Sequence, residues 1–314
     1  MIEEKIPVTI LTGFLGSGKT TLLNRLMQEN PGKKFAVIEN EFGQHGIDAS
    51  LIENSCEGLY ELSNGCICCS LNEELGKTLN QLLLSDLKID HLLIETTGIA
   101  DPAAIARTIL FDLHFQTRFQ LDSIVALADA PHIEKMLEQE EVLARQLACS
   151  HIILLNKQDS VDKEHLERTK EILQEFNPEA EVVPTSYAQC EKNLLELKAC
   201  ELQEQTKRFE QIKADKSHSN MRSCTIRLSE ALDSEKLHFW LQMILVLQPG
   251  LYRVKGLLNI LGQERQIVLQ SVCDQFNAIA GKKWEETPES ILLFIGRDLD
   301  KKALEEGLRS CISD

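Results

Sequence analysis

The chain is short of cations for its anions: 33 lysines and arginines stand against 49 aspartates and glutamates, giving a formal net charge of -16 over 314 residues. Nucleic-acid phosphates are met by clustered Lys and Arg, so this balance excludes non-specific nucleic-acid binding and mainly promotes solubility. No apolar run approaches the ~20 residues that cross a bilayer. The opening MIEEKIPVTIL is acidic and passes straight into strand-like sequence, so neither a membrane span nor a signal peptide is expected. Ten cysteines are too sparse for a disulfide scaffold at this length, and three of them crowd into Cys66, Cys68 and Cys69. That usage points to a reducing, cytoplasmic compartment and raises the question of a metal site. No internal repeat is present. What the chain does have is a hydrophobic content of 43%, ample for a core, and a length at which one large domain plus a smaller one is expected.

The most informative stretch runs from Val8 to Leu26, VTILTGFLGSGKTTLLNRL. Gly13, Gly18, Lys19 and Thr20 fill the Gly-x-x-x-x-Gly-Lys-Ser/Thr pattern, behind a short apolar strand and ahead of a helix. Glycines let successive N–H groups turn toward an anion, and the helix adds the positive end of its dipole. Lys19 is expected to reach the β- and γ-phosphates and the Thr20 hydroxyl to ligate magnesium, with Gly16, Ser17 and Thr21 completing the contacts to the nucleotide.

Further strands then deliver polar tips. Lys34 to Ile38 runs into Glu39-Asn40-Glu41-Phe42-Gly43, and Ile89 to Ile94 into Glu95-Thr96-Thr97-Gly98. Acidic residues at the ends of parallel strands sit where α/β sheets place ligands. Glu95 fits the magnesium-holding position usually filled by Asp, its longer reach suiting an outer-sphere or water-orienting role, and Gly98 lets the backbone approach the γ-phosphate. Residues 123–127, 151–155 and 182–186 read as three more strands. The second of these delivers Asn156-Lys157-Gln158-Asp159, a guanine-reading pattern. The Asp159 carboxylate can accept from the guanine ring N–H and exocyclic amine, Asn156 can address the opposite edge, and the Lys157 stem can lie over the base. Such a site favours GTP over ATP.

Cys66, Cys68 and Cys69 precede Ser70-Leu71-Asn72-Glu73, a capping-box pattern opening a helix through about Leu84. Thiols beside a helix N-terminus deprotonate more readily, and three sulfur donors within four positions can converge on one soft ion such as zinc. Glu39 or Glu41 is the candidate fourth ligand, with water as the alternative. A redox dithiol at Cys66 and Cys69, or buried thiols acting as small hydrophobes, are the competing readings. Residues 47–62 carry no clear period.

An amphipathic helix is expected from about Asn193, followed by a polar linker over 206–222. Domain limits are therefore 1–205 and 223–314, an α/β P-loop domain with a mostly parallel sheet flanked by helices and a small C-terminal α+β domain. In the latter, strands are expected at 224–228, 251–261, 265–273 and 291–295, with helices at 234–247 and 300–310. Trp240 and Trp284 read as core, His218 as a solvated linker residue, and His91, His151, His165 and His238 as structural. His45 and His114 are the histidines to test as accessory ligands.

In this order, TGFLGSGKTTLLN, VIENEFG, NGCICC, LLIETTGIADP and NKQD resemble the CobW-type metallochaperone GTPases, and LYRVKGLLNI, RQIVLQSV and SILLFIGRDLD resemble that family's C-terminal domain. The resemblance spans nearly the whole chain. It implies slow GTP hydrolysis to GDP and phosphate, with magnesium, coupled to transfer of a transition metal, most often zinc, to a client metalloprotein. It also implies that Cys66, Cys68 and Cys69 are the metal motif, with Glu39 close by. Many relatives carry a histidine-rich linker; here only His218 is present, which argues against bulk metal storage. A non-catalytic, GTP-liganded metal sensor is the alternative, and a homodimer across the nucleotide face is compatible with the sequence.

Overall fold

The structure is a computed structural model that describes residues 4–39, 56–61, 70–85, 87–201, 221–272 and 275–313. The expectations resting on Cys66, Cys68, Cys69, Glu41, His45, His218 and most of the linker lie outside the described residues. Two compact units are present, residues 1–170 with 180–200, and residues 171–179 with 201–314.

The first unit is a doubly wound α/β layer structure. Its strands are β1 (Ile6–Gly13), β2 (Phe35–Glu39), β3 (Cys56–Glu61), β4 (His91–Glu95), β5 (Phe119–Asp129), β6 (Ile152–Asn156) and β7 (Glu181–Pro184), in the order β3-β2-β4-β1-β5-β6-β7. Every pairing is parallel. Parallel strands covered on both faces read as unbroken apolar runs, and residues 35–39, 91–95 and 152–156 are buried at every position. The helices are α1 (Lys19–Glu29), α2 (Ser70–Leu84), α3 (Pro102–Phe111), α4 (Leu113–Gln116), α5 (Ile133–Gln139), α6 (Glu141–Cys149) and α7 (Lys163–Phe176), the last of which passes into the second unit. In α1 the spacing of Leu22, Leu23, Leu26 and Met27 gives one apolar stripe, which packs on Leu11, Phe35, Val37, Leu93, Val125 and Leu127. After β1 the chain fills one flank of the sheet and then crosses to the other, so the ligand crevice of such a sheet opens beyond the carboxyl end of β1.

One sequence expectation needs correction here. The helix expected from Asn193 is absent: Leu195 N is taken by Asn193 Oδ1, and Leu197 N and Lys198 N by the Asp122 carboxylate, while Cys200 N bonds to Asp122 O. Leu194 and Leu195 are drawn into the core beside α1, so tertiary burial and a side-chain acceptor outcompete the helix ladder. Strand β3, in the stretch without period, forms along the edge of β2.

The second unit carries an antiparallel sheet of β8 (Met221–Leu228), β9 (Leu251–Leu258), β10 (Arg265–Val272), β11 (Gln275–Lys283) and β12 (Ser290–Arg297), ordered β11-β10-β9-β12-β8. Helices α8 (Ser234–Leu247) and α9 (Lys301–Arg309) cover one face around Leu237, Leu241, Val254, Leu292 and Phe294. Trp240 meets Phe294 edge-on at 6.1 Å. β11 was not expected from its sequence. Among the described residues no helix is long and apolar enough to cross a membrane.

Candidate functional site

Residues 13–20 turn from β1 into α1 around three positive-φ glycines, Gly13 (140°), Gly16 (71°) and Gly18 (108°). At Gly13 and Gly18 the conformation and the space agree: a Cβ on Gly13 would lie 2.3 Å from Leu127 O, and one on Gly18 2.6 Å from Asn156 Nδ2. Gly18 is also the N-cap of α1, so no side chain caps the first turn and its amides are left for an anion. Both Ser17 N and Lys19 Nζ donate to Phe14 O, at 3.3 Å each, curling the loop and drawing the ammonium over it. The Ser17 hydroxyl is buried and has no partner among the described residues. Phosphate oxygens satisfy such a donor, so the cradle fits the ligand its motif predicts.

At the neighbouring strand end, Thr20 Oγ1 donates to Glu95 Oε1 at 2.9 Å. A hydroxyl and a carboxylate side by side are the hard oxygen donors that magnesium takes, and they fit that ion. Thr96 ties this strand end back to β1 twice, through Thr96 N to Leu11 O (2.9 Å) and Thr96 Oγ1 to Thr12 Oγ1 (3.0 Å). Gly98 faces the phosphate loop so closely that a Cβ there would meet Leu15 at 2.5 Å. Glu39 ends β2 in register with Glu95, and both are buried.

The Asn156-Lys157-Gln158-Asp159 segment begins at the last residue of β6. Asn156 is buried, and its amide bonds to protein at three points: Nδ2 donates to Ser17 O (2.9 Å), and Oδ1 accepts from Thr185 Oγ1 (3.2 Å) and Ala188 N (2.9 Å). Through these bonds Asn156 clamps the phosphate loop to residues 185–188. Lys157 adopts a left-handed backbone (φ 63°), and its Nζ pairs with Asp129 Oδ2 at 2.8 Å. Asp159 stands exposed in the 3-10 turn Gln158–Ser160. Sequence reasoning missed Asp129 as a partner of Lys157; its position at the tip of β5, one strand from Asn156, was the available signal.

The other predicted residues divide cleanly. His114 is not at the nucleotide rim: α4, which holds it, precedes the start of β5, which pairs with the start of β1 at the opposite end of the strands from the phosphate loop. His91 is buried on Thr9 Oγ1 at 2.9 Å, and His151 Nδ1 accepts from Ile124 N at 3.0 Å, so both are structural. Among the described residues no cluster of three or more His, Cys, Asp or Glu could hold a metal. Burial pushes the thiols of Cys190 and Cys311 up, away from the thiolate that binds metal.

Known proteins are similar to this chain in sequence and fold. Residues 7–184 match the CobW/HypB/UreG nucleotide-binding domain, and residues 221–312 match the cobalamin synthesis protein cobW C-terminal domain. The zinc chaperone YjiA of Escherichia coli (strain K12) is 36% identical, the match covering 95% of this chain and 96% of that one. The zinc-regulated GTPase metalloprotein activator 1 of Saccharomyces cerevisiae is 30% identical over 99% of this chain and 84% of its own length. In structure, the Zn(II)-bound YjiA GTPase from E. coli is similar with a TM-score of 0.78 and 28% identity, over 99% of this chain and 100% of that one. With both of its domains matched, the chain belongs to the CobW/HypB/UreG family.

Proposed function

We propose that this protein is a GTP-hydrolysing metallochaperone of the cytoplasm that carries zinc on Cys66, Cys68 and Cys69 with Glu39 and passes it to a client metalloprotein as its nucleotide state changes. The observation that carries the reading is the contact between Thr20 of the phosphate loop and Glu95, whose strand neighbour in register is Glu39. The nucleotide grip and the acidic residue assigned to zinc thus close adjacent strands. Support comes also from the relatives, named a zinc chaperone and a zinc-regulated GTPase metalloprotein activator and covered over most of their length.

In this reading the loop amides and Lys19 neutralise the β- and γ-phosphates, which is where charge develops as the phosphoryl group leaves. Thr20 and Glu95 would hold magnesium, which would supply positive charge against the phosphates. Gly98 lets its backbone approach the γ-phosphate, Asp159 reads guanine, and Asn156 keeps the phosphate and base loops in one frame. Zinc is the cargo. Thiolates and a carboxylate form a donor set suited to it.

The test is a zinc titration of the protein loaded first with GDP and then with a non-hydrolysable GTP analogue. Different zinc affinities in the two states are expected, and equal ones overturn the coupling. Metal analysis beside a variant with Cys66, Cys68 and Cys69 replaced by Ser should show loss of bound zinc and of any zinc effect on turnover. GDP release that never exceeds one equivalent would instead identify a sensor.

A further inference from the structure

One buried amide links α6 to the loop after β4. Gln146 has no exposed surface, and its Nε2 donates to Gly98 O at 3.2 Å and to Ala100 O at 3.0 Å. The orientation is set by chemistry, since a flipped amide would press Oε1 against two carbonyl oxygens. Gly98 is therefore gripped from two sides, by Leu15 of the phosphate loop and by Gln146. The preceding residue on α6, Arg145, reaches Asp101 at 3.9 Å, and Asp101 caps α3 through Ala103 N at 2.9 Å.

Two atoms in this region are buried with no partner among the described residues, Gln146 Oε1 and Thr97 Oγ1. An amide with both donor contacts made and its acceptor idle, in a site closed to water, is incompletely satisfied. Any shift of the loop that presents a donor to Oε1 improves it. The present contacts, by contrast, depend on Gly98 and Ala100 staying where they are.

We propose that Gln146 is a positioning residue that latches the Gly98–Ala100 loop and so sets the balance between GDP and GTP binding, a proposal that rests on the GTPase reading above. Movement of the loop toward the γ-phosphate breaks its two carbonyl contacts with Gln146. In a switch of this kind a segment has two packed positions and the ligand selects between them.

Two variants test this. Gln146→Met keeps the shape of the side chain and removes every polar contact, and Gln146→Glu sets a carboxylate against the two carbonyls. Amide hydrogen exchange of residues 97–101 should quicken about tenfold in both without nucleotide, as local opening becomes easier. Affinity for a non-hydrolysable GTP analogue relative to GDP should shift about tenfold, with kcat for GTP changed and GDP binding held within about twofold. A merely structural role would weaken both nucleotides alike and lower the melting temperature in step. That result, or wild-type exchange in the loop, overturns the latch; if one variant fails to fold, the other carries the same test. Should the wild-type protein hydrolyse no GTP, the function reading falls while the exchange rates and the affinity ratio still decide the role of Gln146.

Discussion

Glu39 and Glu95 are register partners at the last positions of two adjacent parallel strands, and both are more than nine-tenths buried, at 6% and 8% exposure. Partners in register on neighbouring parallel strands stand on the same face of the sheet, their backbones ~4.8 Å apart. One carboxylate already takes the hydroxyl of Thr20. Two carboxyl groups so placed share one electrostatic field, and a cation held at either changes the binding energy of a cation at the other. Under the zinc assignment proposed for Glu39, coupling to the magnesium-nucleotide needs no long path and acts in both directions.

Glu39→Gln follows from this directly. The amide keeps the volume and removes the charge, so zinc affinity should fall at least tenfold, in line with the loss of a ligand or its support. The difference in zinc affinity between GDP and GTP-analogue states should shrink in parallel. Competition against a chromophoric chelator measures both. Zinc binding that is unchanged in both states removes Glu39 from the site.

Gly18→Ala tests the cradle. The added methyl must enter a left-handed backbone at φ 108° and approach Asn156 Nδ2 to 2.6 Å. The amide it displaces is the clamp on Ser17 O and residues 185–188. Stability should drop by about 2 kcal/mol and GTP binding by more than tenfold, read by urea unfolding and by nucleotide fluorescence titration. Gly32→Ala, where open space surrounds the added carbon, should leave both nearly unaltered.

How much of this was legible in the sequence depends on whether the signal was local. The phosphate loop, the apolar strands and the helix from Ser70 follow from residue type and spacing, and the structure forms them there. The segment after Asn193 departs from its helical pattern because its fate is set by Asp122, about seventy positions earlier. Asn156 reads as a base contact, and the Asn-Lys-x-Asp pattern does not reveal that Ser17 O, Thr185 and Ala188 also converge on its amide. Gln146 gives no signal at all, being one polar residue on an otherwise apolar helix face. Long-range polar partners are written in the fold, not in the period.

His91 gives a pH prediction. Burial, reinforced by the Lys33 charge and partly opposed by Glu196, lowers its pKa from 6.5 to about 4, so the folded protein holds it neutral on Thr9. Between those values the unfolded chain binds a proton that the folded one refuses, so stability rises with pH across this window and is lost on acidification. At ~1.4 kcal/mol per pH unit the gap is worth about 3 kcal/mol. Urea unfolding of wild type and His91→Gln from pH 7.5 to 4 should show the wild type losing about that much more than the variant. Parallel curves would mean that His91 does not govern the acid limb.

The second unit holds a buried ion pair whose worth can be separated from its removal. Lys255 on β9 and Glu179 meet at 3.1 Å with side chains 2% exposed each. Taking two charges out of water costs several kcal/mol per ion, and their attraction repays this only while both are present. Deleting one leaves the other buried without its partner, so Lys255→Met or Glu179→Leu alone should destabilise by about 3 kcal/mol or more. The double variant replaces both charges by apolar groups of similar size and should recover most of that loss. A thermodynamic cycle of the four proteins, by urea unfolding at neutral pH, reads the coupling. Additive losses in the double variant would show that each group is held by its other neighbours and that the pair itself contributes nothing.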